Sequence, residues 1–143
     1  MTISDDLIAA YRNTNYCVNT HGHYFTMIVG RVSENSIKLM TEFNAHGAVF
    51  ITAWNPFGEV YSLTENQKAN DLLRIDLKAK KLSVLDGYGA SPDGNWREDS
   101  FFAFSVSRST AIELCNQYSQ NAVIFVDKNG IPELIFHPNI TFA

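Results

Sequence analysis

The segment Gly87–Ser100, Gly-Tyr-Gly-Ala-Ser-Pro-Asp-Gly-Asn-Trp-Arg-Glu-Asp-Ser, constrains the fold of this chain more than any other stretch. Glycine and proline punctuate it throughout, so neither a helix nor a strand is expected across it. It lies between the apolar runs Leu82–Leu85 and Phe101–Val106, and it is too long and too rich in carboxylate, hydroxyl and indole groups for a plain turn. Loops of this size inside compact domains are usually functional or disordered. The expectation is a long loop joining two strands, carrying candidate site residues.

Periodicity places regular elements around that loop. Ile3–Arg12 reads as a short helix with Ile3, Leu7, Ala10 and Tyr11 on one side. Extended pieces follow at Tyr16–Val18 and Tyr24–Val29, with a turn at Asn19–Gly22. Ser33–Asn44 is a second helix, with Ser33 placed to cap it. Ala48–Trp54, apolar and rich in β-formers, has the pattern of a strand buried on both faces, ended by Asn55-Pro56. Ser62-Leu63-Thr64-Glu65 is a capping box opening a helix to about Lys80, with an apolar stripe of Ala69, Leu72, Leu73 and Leu77. Arg108–Gln120 is a fourth helix, with Ala111, Leu114, Cys115 and Tyr118 at helical spacing. Ala122–Val126 and Ile131–Phe136 flank an Asn-Gly turn, and Pro132 confines the last strand to a sheet edge. Two strand–helix–strand units thus stand out. The expected fold is α+β: one domain over residues 1–143, a mixed sheet of five to six strands with helices packed on it, and a C-terminal hairpin at the edge.

Composition narrows the function classes. A net charge of −4 argues against nucleic acid as a partner, since phosphate binding needs a basic face. The one basic cluster, Lys78, Lys80 and Lys81, complements the dipole at a helix end. Cys17 and Cys115 lack C-x-x-C spacing and read as reduced thiols of a cytoplasmic protein. The opening residues carry no basic or apolar leader, and no apolar run approaches the length of a membrane span, so no secretion signal and no membrane partner are expected.

Thr52-Ala53-Trp54-Asn55-Pro56, Glu65-Asn66 with Asn70, Gly87-Tyr88-Gly89, Pro92-Asp93-Gly94, Trp96, Glu98, Ser100 and Gln120-Asn121-Ala122 occur in that order, with Tyr11-Arg12 near the start. Together these motifs resemble the bacterial domain-of-unknown-function family numbered 3293, over nearly the whole chain. Arg97 and Asp99 beside Glu98 depart from the family's pattern. The resemblance implies a small cytoplasmic bacterial protein; it supplies no activity and no catalytic residue.

Two constellations carry chemistry. Asn66 and Asn70 are four apart on one helix face, and Asn55 follows the Ala48–Trp54 strand, so three amides converge on a helix N-terminus suited to a ribose, base or amide ligand. The plainer reading puts Asn55 at a strand end and Asn66 and Asn70 on a solvated face. In the glycine-rich segment, Glu98 and Asp93 are suited to proton transfer, Arg97 to holding an anion, and Trp96 to stacking on a flat ligand. Here the plainer reading is a structured turn with Trp96 plugging the core edge. Glu98 is the one candidate for a catalytic role. His21, His23, His46 and His137 show no metal-ligand spacing, and no phosphate-loop, dinucleotide or nucleophile-elbow motif is present, so neither a metal nor a cofactor is implied. Phe102, Phe104 and Val106 are expected to share one strand face. The best-supported reading is a domain binding a small polar, nucleotide-like ligand through Asn55, Asn66, Asn70, Trp96 and Glu98, with Pro56–Asn70 and Tyr88–Ser100 meeting at one sheet rim. The alternative is a protein-interaction module anchored by the Gly87–Ser100 loop.

Overall fold

A computed structural model describes residues 1–143. Four helices, α1 (Asp5–Asn13), α2 (Glu34–Glu42), α3 (Leu63–Ala79) and α4 (Arg108–Gln117), are each entered through a serine: Ser4, Ser33, Ser62 and Ser107 accept a backbone N–H from the first turn. That capping satisfies amides that have no partner within the helix. No helix is long and apolar enough to cross a membrane.

The main sheet has seven strands, not five or six, and every neighbouring pair is antiparallel rather than mixed. In chain order these are β2 (Asn15–Thr20), β3 (His23–Met27), β4 (Gly47–Ile51), β5 (Val84–Ala90), β6 (Arg97–Phe104), β7 (Ala122–Asp127) and β8 (Glu133–Phe136). Their spatial order is β3-β2-β5-β6-β4-β7-β8. A separate parallel pair joins β1 (Thr2–Ile3) to β9 (Thr141–Phe142), so Ile3 is a strand residue and α1 begins two positions later than its periodicity suggests. Within the large sheet, β4-α3-β5 and β6-α4-β7 each skip one strand. They interlock as the split β-α-β arrangement of ferredoxin-like folds. Each crossover runs parallel, but the strand inserted between its ends is antiparallel to both, and sequence order alone does not reveal that insertion. The β7–β8 hairpin closes one edge as expected, with Pro132 just outside the ladder.

The sheet has two apolar faces. Leu73 and Leu77 of α3 and Ala111, Leu114 and Cys115 of α4 pack with Val49, Ile51, Phe101 and Ala103 on one. Leu39 and Met40 of α2 pack with Tyr16, Val18, Phe50, Phe102 and Phe104 on the other. Leu72 stands outside the α3 stripe, 64% exposed. Val106 joins the face of Phe101 and Ala103, not that of Phe102 and Phe104. Ser105 turns left-handed (φ 67°), and the N–H groups of Ser105 and Val106 both reach the Gly47 carbonyl, which shifts the alternation by one residue.

The greatest departure concerns Gly87–Ser100. It is a β-hairpin whose ladder runs to Ala90–Arg97, leaving only Ser91–Trp96 at the tip. Gly87 is a strand glycine by necessity. A Cβ there would lie 2.3 Å from the Cys17 carbonyl oxygen, because β2 closes tightly on β5. Punctuation read along the chain misses a requirement imposed by a neighbouring strand.

Candidate functional site

Strand alternation sends Glu98 and Ser100 of β6 to the same face as Phe102 and Phe104, away from α3 and α4. Opposite them on β5 stand Gly89 and Gly87. With no side chain at Gly89 the sheet face is hollow there, whereas the space over Gly87 is filled by the Phe50 ring and the Cys17 carbonyl. Leu7, Ala10 and Tyr11 of α1 roof the hollow, and the turn Asn55–Gly58 borders it. The result is a cavity of about 470 Å³, within the range of small-molecule sites. Tyr11, Tyr16, Phe50, Phe57 and Trp96 supply aromatic wall, and Glu98 is the only acidic or basic side chain among the lining residues.

Glu98 dominates the electrostatics. Its carboxylate accepts no hydrogen bond and forms no ion pair, although the donors of Tyr11, Asn121 and Ser100 line the same space. Burial without compensation disfavours the charged form, and the carboxyl is pushed up to about 7. A carboxyl so poised gives up or takes a proton near neutrality. Burial, ahead of the nearby Glu98 charge, also raises the Tyr11 and Tyr16 hydroxyls, so both remain protonated donors.

The wall around Glu98 is braced. Asn121 Nδ2 donates to the Tyr11 hydroxyl at 3.0 Å, and the Tyr16 hydroxyl donates to the Tyr11 carbonyl at 2.7 Å, tying α1 to the sheet. Gln120 Nε2 donates to the Trp54 carbonyl at 3.3 Å, holding the segment after β4. Asn55 and Phe57 both adopt positive φ (43° and 53°). For Phe57 this is a strained conformation, held by its N–H to the Ser119 carbonyl at 2.7 Å and by edge packing on His137.

The residues singled out in the sequence divide among four places. Asn55, Trp96 and Glu98 line the cavity, so the turn after β4 and the β5–β6 hairpin do share it. Trp96, 38% exposed, rests its ring against Gly89 and forms part of the rim. Asn66 and Asn70 are buried, not on a solvated face, and their amides are spent on bonds within the protein. Asn70 accepts from Ala53 N–H at 2.8 Å and donates to the Asp99 carbonyl at 2.9 Å. Asn66 accepts from Asn55 N–H at 2.8 Å and donates to Asn55 Oδ1 at 2.8 Å. Asp93 organises the hairpin tip, accepting from Ser91 Oγ at 2.6 Å and Asn95 N–H at 3.0 Å, bonds that lower its carboxyl. Arg97 lies on the outer face over the Tyr88 ring, 3.8 Å from its centroid. The contributions of Tyr11, Tyr16, Phe57, Gln120 and Asn121 were not legible as site residues. For Tyr11, Gln120 and Asn121 the signal was their place among the ordered motifs, Tyr11-Arg12 and Gln120-Asn121-Ala122; Tyr16 and Phe57 carried none.

No group of three or more His, Cys, Asp or Glu side chains is placed to hold a metal. Cys17 and Cys115 are both buried free thiols. A family model described as "Protein of unknown function (DUF3293)" matches residues 51–123, which include Asn55, Trp96, Glu98 and Gln120. The α1 and β2 side of the cavity lies outside that match. No curated protein and no solved structure matches the chain.

Proposed function

The chain belongs to this family of unknown function, and from its own geometry we propose that it binds a small molecule in the cavity beneath α1, with Glu98 bonding to the ligand. The observation that carries this reading is an unpartnered, partly buried carboxyl facing a cavity of ligand size. Such a group destabilises the empty protein, which is a common feature of sites arranged for function rather than for stability. The aromatic walls suit a flat ring, in keeping with the nucleotide-like expectation, but the phosphate of a nucleotide would find no cationic side chain here. Of the three amides only that of Asn55 lines the cavity, and since its Oδ1 already accepts from Asn66 Nδ2 and Tyr61 N–H, its Nδ2 is the group left for a ligand.

A protein-anchoring role for the hairpin draws less support, because Trp96 packs on Gly89 and contributes to the cavity wall. The reading is tested by thermal-shift screening of the whole chain against a panel of small metabolites. A ligand at 100 times its Kd adds roughly 2.7 kcal/mol to stability. Amide NMR shifts upon binding should concentrate at Tyr16, Gly89, Trp96 and Ser100. A flat panel, or shifts confined to the outer face around Arg97 and Tyr88, overturns it.

A further inference from the structure

We propose that the cavity selects an organic nitrogen base, a cationic amine or amidinium carried on a flat or apolar body, whose N–H groups bond to Glu98 while its body lies against the aromatic walls. This inference rests on the small-molecule reading above and names the ligand class. Three observations bear on it, and the first is the charge inventory. No Lys, Arg, His or Asp lines the cavity, so Glu98 is its sole formal charge. An anionic ligand entering there would meet a carboxyl and no counter-charge, at the desolvation cost that accompanies any unpaired buried ion.

The second observation concerns hydrogen bonding. The Glu98 carboxyl oxygens accept nothing from the protein, the Ser100 hydroxyl donating to the Glu98 main-chain carbonyl instead, so their acceptor capacity is turned to the cavity. A carboxylate accepts only, and an amine or amidinium donates only, so the two inventories match. The third concerns the walls. Tyr11, Tyr16, Phe57 and Trp96 surround the same space. The faces of such rings attract cations, with the effect largest where water is excluded.

Ligand entry then has a definite proton consequence. The groups facing Glu98 are the Tyr11 hydroxyl from α1 and the Tyr16 hydroxyl from β2, both held protonated. Glu98 is therefore the group that must change state. In the empty protein at pH 6 the carboxyl is mostly neutral. A bound ammonium requires the carboxylate, so the Glu98 O–H bond breaks and its proton leaves to solvent, while the ligand keeps its own.

Titration calorimetry on the full chain at pH 6 tests this with matched probes: benzylamine and tryptamine, the neutral benzyl alcohol, and the anions indole-3-propanoate and adenosine monophosphate. The amines should bind at least ten-fold more tightly than benzyl alcohol. Runs in two buffers of different ionisation enthalpy should show release of close to one proton per amine bound. Glu98→Gln should lose ten-fold or more for the amines, change benzyl alcohol less than three-fold, and release no proton. A neutral or anionic probe binding as well as the amines overturns the ligand class and leaves the cavity reading standing, as does stabilisation by the metabolite panel without amine binding. No binding by any probe together with a flat panel overturns both.

Discussion

Gly89 stands directly across the β5–β6 ladder from Glu98. A larger side chain at Gly89 would project into the space that Glu98 faces. The pair sets the cavity's volume and leaves its carboxyl without a partner, so the site and its instability have one structural origin.

The pH dependence of stability follows from Glu98. Its carboxyl, ordinarily near 4.5, titrates at about 7 in the folded chain, so the folded state binds the extra proton between those values. The Glu98 contribution to stability is then greatest below about 4.5, falls as pH rises towards 7, and is level above it. Glu98→Gln should remove this slope and be more stable than the natural chain at pH 8 by roughly 2–3 kcal/mol. Urea denaturation of both proteins at pH 5 and pH 8 measures it; equal differences at the two pH values refute the assignment.

The two hairpin glycines should respond oppositely to alanine. At Gly89 a Cβ meets only Thr14 and Trp96 side-chain atoms at 3.6 Å, and the backbone is extended, so Gly89→Ala should fold with stability unchanged or raised by about 0.5 kcal/mol while crowding Glu98. At Gly87 the Cβ collides with the Cys17 carbonyl, and Gly87→Ala should lose about 1–3 kcal/mol by pushing β2 from β5. Thermal denaturation of the two variants separates these outcomes.

Asn70 holds the strand end beside the site rather than a ligand. Removing its amide leaves the buried Ala53 N–H without a partner and the Asp99 carbonyl held by the Thr52 hydroxyl in place of two donors. Asn70→Ala should therefore lose about 1–3 kcal/mol. Chemical denaturation should show that loss, and a ligand found for the natural chain should bind the folded variant within three-fold.

Both thiols should be silent in the native protein. Cys115 is buried on α4, its Sγ–H donating to the Gln120 carbonyl at 3.2 Å, and burial pushes its thiol up to about 12. Cys17 is buried on β2. A chromogenic disulfide reagent should detect almost no thiol in native protein at pH 8 and two per chain in guanidinium. Rapid native labelling would contradict the packing described.

What the chain's order determined by itself was local. The caps at Ser33 and Ser62, the apolar stripes of α3 (Leu72 apart) and α4, the Asn-Gly turn and the edge position of β8 follow from neighbours a few residues apart, and the structure has them. The prominence of Glu98 and Trp96 was also visible, because a carboxyl and an indole among glycines suit few structural roles. Only tertiary packing decided the rest. The burial of Asn66 and Asn70, the strand role of Gly87, the shifted alternation at Val106, and the roof of Tyr11 and Tyr16 depend on contacts between segments remote in sequence. Local propensity has no access to such contacts. The charge state of Glu98 belongs with them, since desolvation is a property of what the fold places around a group rather than of the residues beside it.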